Sequence, residues 1–352
     1  MKNTPLVSII IPNFNHSRYL DESVQSALNQ TYENIEIIIN DNASTDNSVE
    51  VLSKYVDRGV IINKNPQNLY NFNYDILDDW VSGKYLLLLC ADDVLRPDFI
   101  RRAVDIMEND PDIGFVHGER DYIDENGITT ELDPFFNCSF RAKGLDMLPI
   151  FTITDIGQSA QALIRYSAFK EIDLHDTESD HLNIDREQWF RLSMVSDYAY
   201  IRDKMALIRM PEVTSETTRI VETFYHPIAL YHTAKSFEHW ALLRGYDGIE
   251  ERVGLALKRF AKECIGFTKV FLKREKYNLA KKYLLFMKLV DRTIEEDEDY
   301  KLCMDALNRK DASGIQIDEY KKSSNYSRRK RNYDPPKGYV IIDEKGQCID
   351  ER

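Results

Sequence analysis

Four short apolar segments begin near residues 6, 35, 60 and 85, and a helix-sized stretch follows each of the first three. That alternation restricts the topology more than any single motif, because strand–helix–strand repeats of this length close as right-handed βαβ units around a parallel sheet. The segments at 6–11, 35–39, 60–62 and 85–91 are continuous rather than alternating, as expected of strands covered on both faces. Leu20, Val24, Ala27 and Leu28 mark the first helix, and Asp21 and Glu22 sit in its early turns. Asn47 with Glu50 reads as a capping box opening a second helix that carries Val51, Leu52 and Tyr55. Phe72, Ile76, Leu77 and Trp80 mark a third, closed by Ser82 and Gly83. The polar turns at 12–15, 41–46 and 92–93 then open on one rim of the sheet, where open α/β sheets bind ligands.

Further along, Phe99, Ile100, Ala103, Val104 and Met107 form the apolar face of another helix. Residues 113–118 read as a strand and 124–127 as a hairpin tip. The stretch 132–156 reads as an irregular, aromatic loop, 159–164 as a strand, 167–172 as a short helix and 173–183 as a polar loop. A helix starts at Asp185 with acids in its first turn. Beyond residue 220 the pattern changes to long amphipathic helices at 224–243, 249–272 and 279–290. A basic cluster (Lys321, Lys322 and Arg328 through Arg331) precedes two short strand-like runs at 339–342 and 347–349. This division predicts an α/β domain over 1–220, a helical appendage over 221–310, and a basic linker with a possible terminal hairpin over 311–352.

Bulk chemistry narrows the partners. Lys and Arg number 46 against 59 Asp and Glu, a formal charge of −13, which argues against general nucleic-acid binding. Five scattered cysteines without C-x-x-C spacing fit reduced thiols of a cytoplasmic protein. No signal-peptide core or membrane-length apolar run is legible, so association with the inner face of a membrane would be peripheral, through basic residues.

The run Val7-Ser8-Ile9-Ile10-Ile11-Pro12-Asn13-Phe14-Asn15 resembles the opening strand of family-two, GT-A-fold inverting glycosyltransferases. Glu36-Ile37-Ile38-Ile39-Asn40-Asp41-Asn42-Ala43-Ser44-Thr45-Asp46 resembles their second strand and its Asp-rich turn. Gly83 through Asp93, with Pro97, resembles the strand that leads to their metal-binding D-x-D motif, and Ile184-Asp185 ahead of Trp189 resembles their "ED" motif. The likeness covers roughly the first 215 residues. It implies a GT-A (Rossmann-like) mostly parallel sheet flanked by helices, with a C-terminal helical domain after it. It also implies transfer of a sugar, with inversion, from a nucleoside diphosphate sugar to an acceptor hydroxyl on a glycan, a lipid-linked glycan or a polysaccharide.

Carried residue by residue, the resemblance places Pro12, Asn13, Phe14 and Asn15 against the nucleotide. Asp41 and Asn42 then fall at the base edge, favouring UDP or dTDP, because a carboxylate acceptor suits an imide N–H. Asn68 and Asn71 line the sugar-nucleotide pocket, and Asp92 and Asp93 hold a divalent cation, Mn or Mg. Asp185 is the catalytic base. Two departures stand out: Cys90 replaces the first acid of D-x-D, reading as strand-end packing, and Ile184 replaces the Glu of "ED". Arg209 reads either as a diphosphate contact or as a surface residue.

Other chemistries find no motif. There is no G-x-G-x-x-G after the first strand and no G-x-x-x-x-G-K-[ST]. Gly157-Gln158-Ser159-Ala160-Gln161 misses G-x-S-x-G at its last position. His226, His232 and His239 lack zinc-site spacing. A non-enzymatic alternative is a catalytically impaired nucleotide-sugar-binding protein of the same fold, to which Cys90 and Ile184 would both be suited.

Overall fold

The computed structural model describes residues 4–69, 77–153, 156–172, 174, 184–210, 221–316 and 331–351. Strands β1 (Val7–Asn13), β2 (Ile35–Asp41), β3 (Val60–Lys64) and β4 (Tyr85–Leu88) are joined through helices α1 (Ser17–Leu28), α2 (Ser48–Ser53) and α3 (Leu77–Trp80). All of their pairings are parallel: β1 lies between β2 and β4, and β2 pairs β3 on its other side. Successive side chains of a strand point to opposite faces, and the core divides accordingly. Ile9, Ile11, Ile37, Ile39, Leu87 and Leu89 pack on one side of the sheet with Val24 of α1 and with Phe99 and Ile100 of helix α4 (Phe99–Asn109). Ile10, Ile38, Leu86 and Leu88 pack on the other with Phe115, Trp189 and Leu192. Each such side chain contributes on the order of 1.5–3 kcal/mol on full burial, so coverage of both faces explains why the strands read as unbroken apolar runs. Gly83 enters β4 against β1 so closely that a Cβ there would lie 2.7 Å from the Ser8 backbone nitrogen.

The rest of the sheet is mixed. Strand β5 is Val94–Leu95, β6 Ile113–Ile123, β7 Thr129–Thr130, β8 Phe140–Ala142, β9 Ala162–Arg165 and β10 Asp197–Arg209. Strand β9 runs antiparallel to both β4 and β6, while β6 and β10 are parallel to each other. The carboxyl ends of β1, β2, β4, β6 and β10 therefore share one rim.

Several local expectations differ from the structure. Strand β6 does not stop at Gly118 but continues through Glu119, Arg120 and Asp121, all buried; charge normally ends a strand, but these three have partners, described below. The 132–156 stretch contains β8 and helix α5 (Gly144–Ile153), whose lack of a clean apolar stripe and internal Pro149 conceal the helical period. At 159–161 a 3₁₀ turn precedes β9, which begins at Ala162. The Asn47 side chain does not cap α2. Instead Asp46 accepts from the backbone of Ser48 (3.0 Å) and of Ser17 (2.9 Å), closing the amino ends of α2 and α1 together. Burial alone would raise its carboxyl pKa, but these hydrogen bonds bring it down to about 2.

Helix α6 (Tyr166–Glu171) follows β9, and α7 (Ile184–Val195) precedes β10. Helices α8 (Tyr225–Leu243), α9 (Ile249–Lys273), α10 (Tyr277–Val290) and α11 (Glu298–Arg309) then form the C-terminal helical region. It is docked on α5 and α7: Phe190 of α7 stacks on Phe237 of α8 at 4.3 Å between ring centroids, and Leu148 of α5 joins the same cluster. Residues 331–351 return to the sheet. Strand β11 (Val340–Ile342) pairs with β8 and with β12 (Cys348–Glu351), and Ile342 enters the core beneath α4. Among the described residues no helix is long and apolar enough to cross a membrane.

Candidate active site

The first corner of the rim is a closed polar network between the ends of β1 and β2. Asn13 donates from Nδ2 to Asp41 Oδ1 (2.7 Å) and to Ser44 Oγ (3.1 Å), and Ser44 Oγ donates to Asp41 Oδ1 at 2.6 Å. Asn15, at φ +58°, accepts from the Thr45 backbone at 2.7 Å. Asp41 is buried, and its Oδ2 takes only a 3.3 Å bond from the Ser44 backbone. That oxygen retains acceptor capacity. Pro12 is half-buried within β1, whereas the Phe14 ring is 40% exposed at the lip.

Asn42 fastens the next loop. Its Oδ1 accepts from Asn65 Nδ2 (2.8 Å) and from the Leu69 backbone (3.0 Å), while its Nδ2 donates to Asn68 Oδ1 at 2.9 Å. Two of the asparagines expected at the pocket thus hold each other. Asn71 lies outside the described residues.

The second corner follows β4. Cys90 Sγ and carboxylate oxygens of Asp92 and Asp93 lie within 4.8 Å of one another. Asp93 is buried; burial first, and then the Asp92 charge, push its carboxyl up to about 8 despite a 2.8 Å bond from the Arg209 backbone and a bond from the Cys90 thiol. Burial and the charges of Asp93, Asp92 and Asp185 push the Cys90 thiol well above its ordinary value. Asp185 therefore lies within electrostatic reach of the Cys90 thiol. Two carboxylates and a thiol on one turn form a donor set suited to a divalent cation.

Arg209 is not the surface residue of the second reading. It is a buried strut: Nε donates to the Asp92 carbonyl (2.9 Å), Nη1 to the Asp124 carbonyl (2.6 Å) and Nη2 to Glu22, and its guanidinium lies 4.1 Å above the Tyr19 ring. Each of its three side-chain nitrogens makes a bond to the surrounding protein, which fixes the acidic turn.

Asp185 stands half-buried in the first turn of α7, its Oδ1 accepting from the Arg186 backbone at 2.9 Å. The same helix holds the loop before β9, because Trp189 Nε1 donates to the Gly157 carbonyl at 2.9 Å. A Cβ at Gly157 would lie 2.4 Å from His117 Nε2, so only glycine fits there. Burial and the Arg120 charge keep His117 neutral, its pKa lowered to about 3. Arg120 spans Gln161 Oε1 (2.8 Å) and the Ile156 carbonyl (2.9 Å).

Glu119 accepts from Tyr200 Oη (2.6 Å), the Phe135 backbone and Arg331 Nη2 (3.2 Å), and Asp121 from Lys204 Nζ (3.1 Å). These residues escaped the sequence reading; their signal was the run His117-Gly118-Glu119-Arg120-Asp121 in a strand with no break before Tyr122. Arg331, expected in a basic linker, is instead paired and nearly buried.

A cavity of ≈ 520 Å³ lined by Asp112, Lys143, Arg165 and Asp197 opens at the amino ends of β6 and β10, the far end of the sheet from these residues. Its cations are already engaged, Lys143 with Asp197 at 2.7 Å and Arg165 with the Met107 carbonyl at 2.9 Å.

Residues 8–173 match the family described as Glycosyl transferase family 2. An uncharacterized glycosyltransferase of Rickettsia typhi is 25% identical over 296 residues, 83% of this chain and 86% of that protein. One of Haemophilus influenzae is 40% identical over 117 residues, 32% of this chain and 36% of that protein. Matched segments in two further relatives, of Rickettsia bellii and Rickettsia felis, span 29% and 34% of their lengths, so the chain covers about a third of several curated relatives. Among solved structures, S. aureus TarS 1-349 in complex with UDP-GlcNAc superposes with a TM-score of 0.58 at 14% identity, over 89% of this chain and 97% of that one. The mannosyltransferase PcManGT of Pyrobaculum calidifontis, in complex with GDP-Man and Mn2+, gives 0.51 at 12% identity, over 91% and 89%. At such identities the likeness shows the GT-A fold.

Proposed function

We propose, from the match of residues 8–173 to glycosyl transferase family 2, that the chain transfers a hexosyl group, with inversion, from a UDP- or dTDP-sugar to a hydroxyl of a glycan, lipid-linked glycan or polysaccharide. The observation that supports this reading is the grouping of Asp92 and Asp93 with Cys90 on the turn after β4, at the same strand-end rim as Asp41, with the Asp185 charge felt at that thiol. The base lies between the Phe14 ring and Asp41, whose Oδ2 accepts the imide N–H; Asn13 and Ser44 hold that carboxylate in place. Asn15 and Asn42 shape the turns around it, with Asn68 toward the sugar. Asp185 takes the proton of the acceptor hydroxyl as its oxygen attacks the anomeric carbon, and the diphosphate departs with the bonding pair. A divalent cation, Mn or Mg, held by Asp92 and Asp93 supplies charge neutralisation on that leaving group.

A thermal-shift series with nucleoside diphosphates tests the donor reading. UDP or dTDP with Mn2+ is expected to raise Tm by mass action, at saturating ligand by the equivalent of about 2.7 kcal/mol for a hundredfold excess over Kd. GDP and ADP should leave Tm unmoved, and equal shifts for all four would sink the base assignment.

The partner surface reading is peripheral association with an anionic membrane from the cytoplasmic side. Its support is the outward face of α10, where Leu285 (60% exposed) and Leu289 (79% exposed) lie among the exposed Lys281, Lys282 and Lys288. Paired Leu285→Glu and Leu289→Glu changes are expected to abolish sedimentation with phosphatidylglycerol vesicles; unchanged sedimentation would remove α10 from the contact.

A further inference from the structure

Of the five cysteines, three have an apolar explanation and one is exposed. Cys138, Cys264 and Cys303 pack in or against hydrophobic clusters, and Cys348 lies at the surface. Cys90 differs from all of them. It follows a strand whose Leu86, Leu87, Leu88 and Leu89 enter the two cores, yet it belongs to neither core. Its sulfur lies instead among the acids: Sγ is within 4.8 Å of carboxylate oxygens of both Asp92 and Asp93. Strand-end packing therefore does not account for it.

We propose that Cys90 is itself a ligand of the divalent cation, so that the site holds a mixed sulfur–oxygen donor set and prefers a thiophilic ion such as Zn2+ or Co2+ to Mg2+. The inference rests on reading Asp92 and Asp93 as metal ligands. Mg2+ favours a near-octahedral shell of hard oxygens at short distances. A thiolate is soft and suits Zn2+ and its neighbours in the first transition row, whose bonds to sulfur are long and partly covalent. The rest of the turn suits such a site. Arg209 fixes it from beneath through the Asp92 carbonyl and the Asp93 carboxylate, so the three side chains share one rigid segment. Loading exchanges the Sγ–H proton for the ion, with the proton passing to solvent and no change of oxidation state.

The test uses the full chain, stripped of metal and titrated separately with Co2+, Zn2+ and Mg2+. The wild type is expected to show a near-ultraviolet sulfur-to-cobalt charge-transfer band on Co2+ addition, and to bind Zn2+ at least about tenfold more tightly than Mg2+. Cys90→Ser should lose the band, and Cys90→Asp, which restores an all-oxygen set, should shift the preference back toward Mg2+. Absence of the band, its persistence in Cys90→Ser, or a Zn2+-to-Mg2+ ratio near one would overturn the proposal. The UDP thermal shift is read on the same preparations. A normal UDP shift without the cobalt–sulfur band defeats this inference alone, whereas a cobalt–sulfur band without any nucleotide shift defeats the donor reading alone.

Discussion

Asp185→Asn is expected to reduce sugar transfer by about 10²- to 10⁴-fold, the range spanned by general base catalysis, while nucleotide diphosphate affinity stays at the wild-type level. The substitution is close to isosteric and keeps an oxygen able to accept from the Arg186 backbone, as Asp185 Oδ1 does at 2.9 Å. It removes a negative charge from the first turn of α7, which costs only about 0.3–1 kcal/mol of helix-dipole interaction. A structural acid in this position would therefore show a small fall in Tm and no change in rate. A base would show the reverse, a large fall in kcat with Tm nearly constant. The comparison also separates a transferase from a protein that merely binds the donor. Hydrolysis of UDP-sugar without acceptor should be measurable in the wild type and lost in the variant. Equal, negligible rates for both, alongside intact UDP binding, would point to the impaired binder.

The parallel part of the fold was legible because its determinant is local. Ile9, Ile10 and Ile11 read as a strand covered on both sides, and they are. The rim residues were legible for a related reason: polar turns after strands that begin at 6, 35 and 85 must share an edge once the strands are parallel. What was not legible depends on contacts between distant residues. Glu119 looks incompatible with a buried strand until Arg331, 212 residues later, is placed beside it. Arg209 reads as a free cation until Glu22 and the Asp92 carbonyl are found around it. Helix α5 was missed because apolar residues occupy its exposed side as well as its buried one, Leu145 being 49% exposed, so no amphipathic stripe marks it. The orientation of the Cys90 sulfur had no sequence signal, since a cysteine at a strand end is equally suited to the core or to the rim.

The helical region's attachment offers the largest expected effect on stability. Glu187 and Arg191 stand one turn apart on α7, the helix that begins with Asp185, and both are almost wholly buried. Arg191 also donates to the Ile172 carbonyl (3.1 Å) and lies 4.3 Å from the Trp240 ring, while Ser236 of α8 bonds to Glu187. The pair thus joins the acid-bearing helix to the first helix of the C-terminal region. Arg191→Ala leaves the Glu187 carboxylate buried and uncompensated, a situation that costs about 3–5 kcal/mol. Loss of Tm by several degrees is expected, with a fall in transfer caused by the loosened α7. The ion pair as a whole is a different matter, since exchanging both members for well-packed neutral groups is often neutral or stabilising. Arg191→Met with Glu187→Gln should therefore recover most of the Tm lost by Arg191→Ala, and a double-mutant cycle reads the coupling directly. If Arg191→Ala costs less than about 1 kcal/mol, the value typical of an exposed pair, the joint between α7 and α8 does not depend on this charge, and the stacked Phe190 and Phe237 must hold it instead.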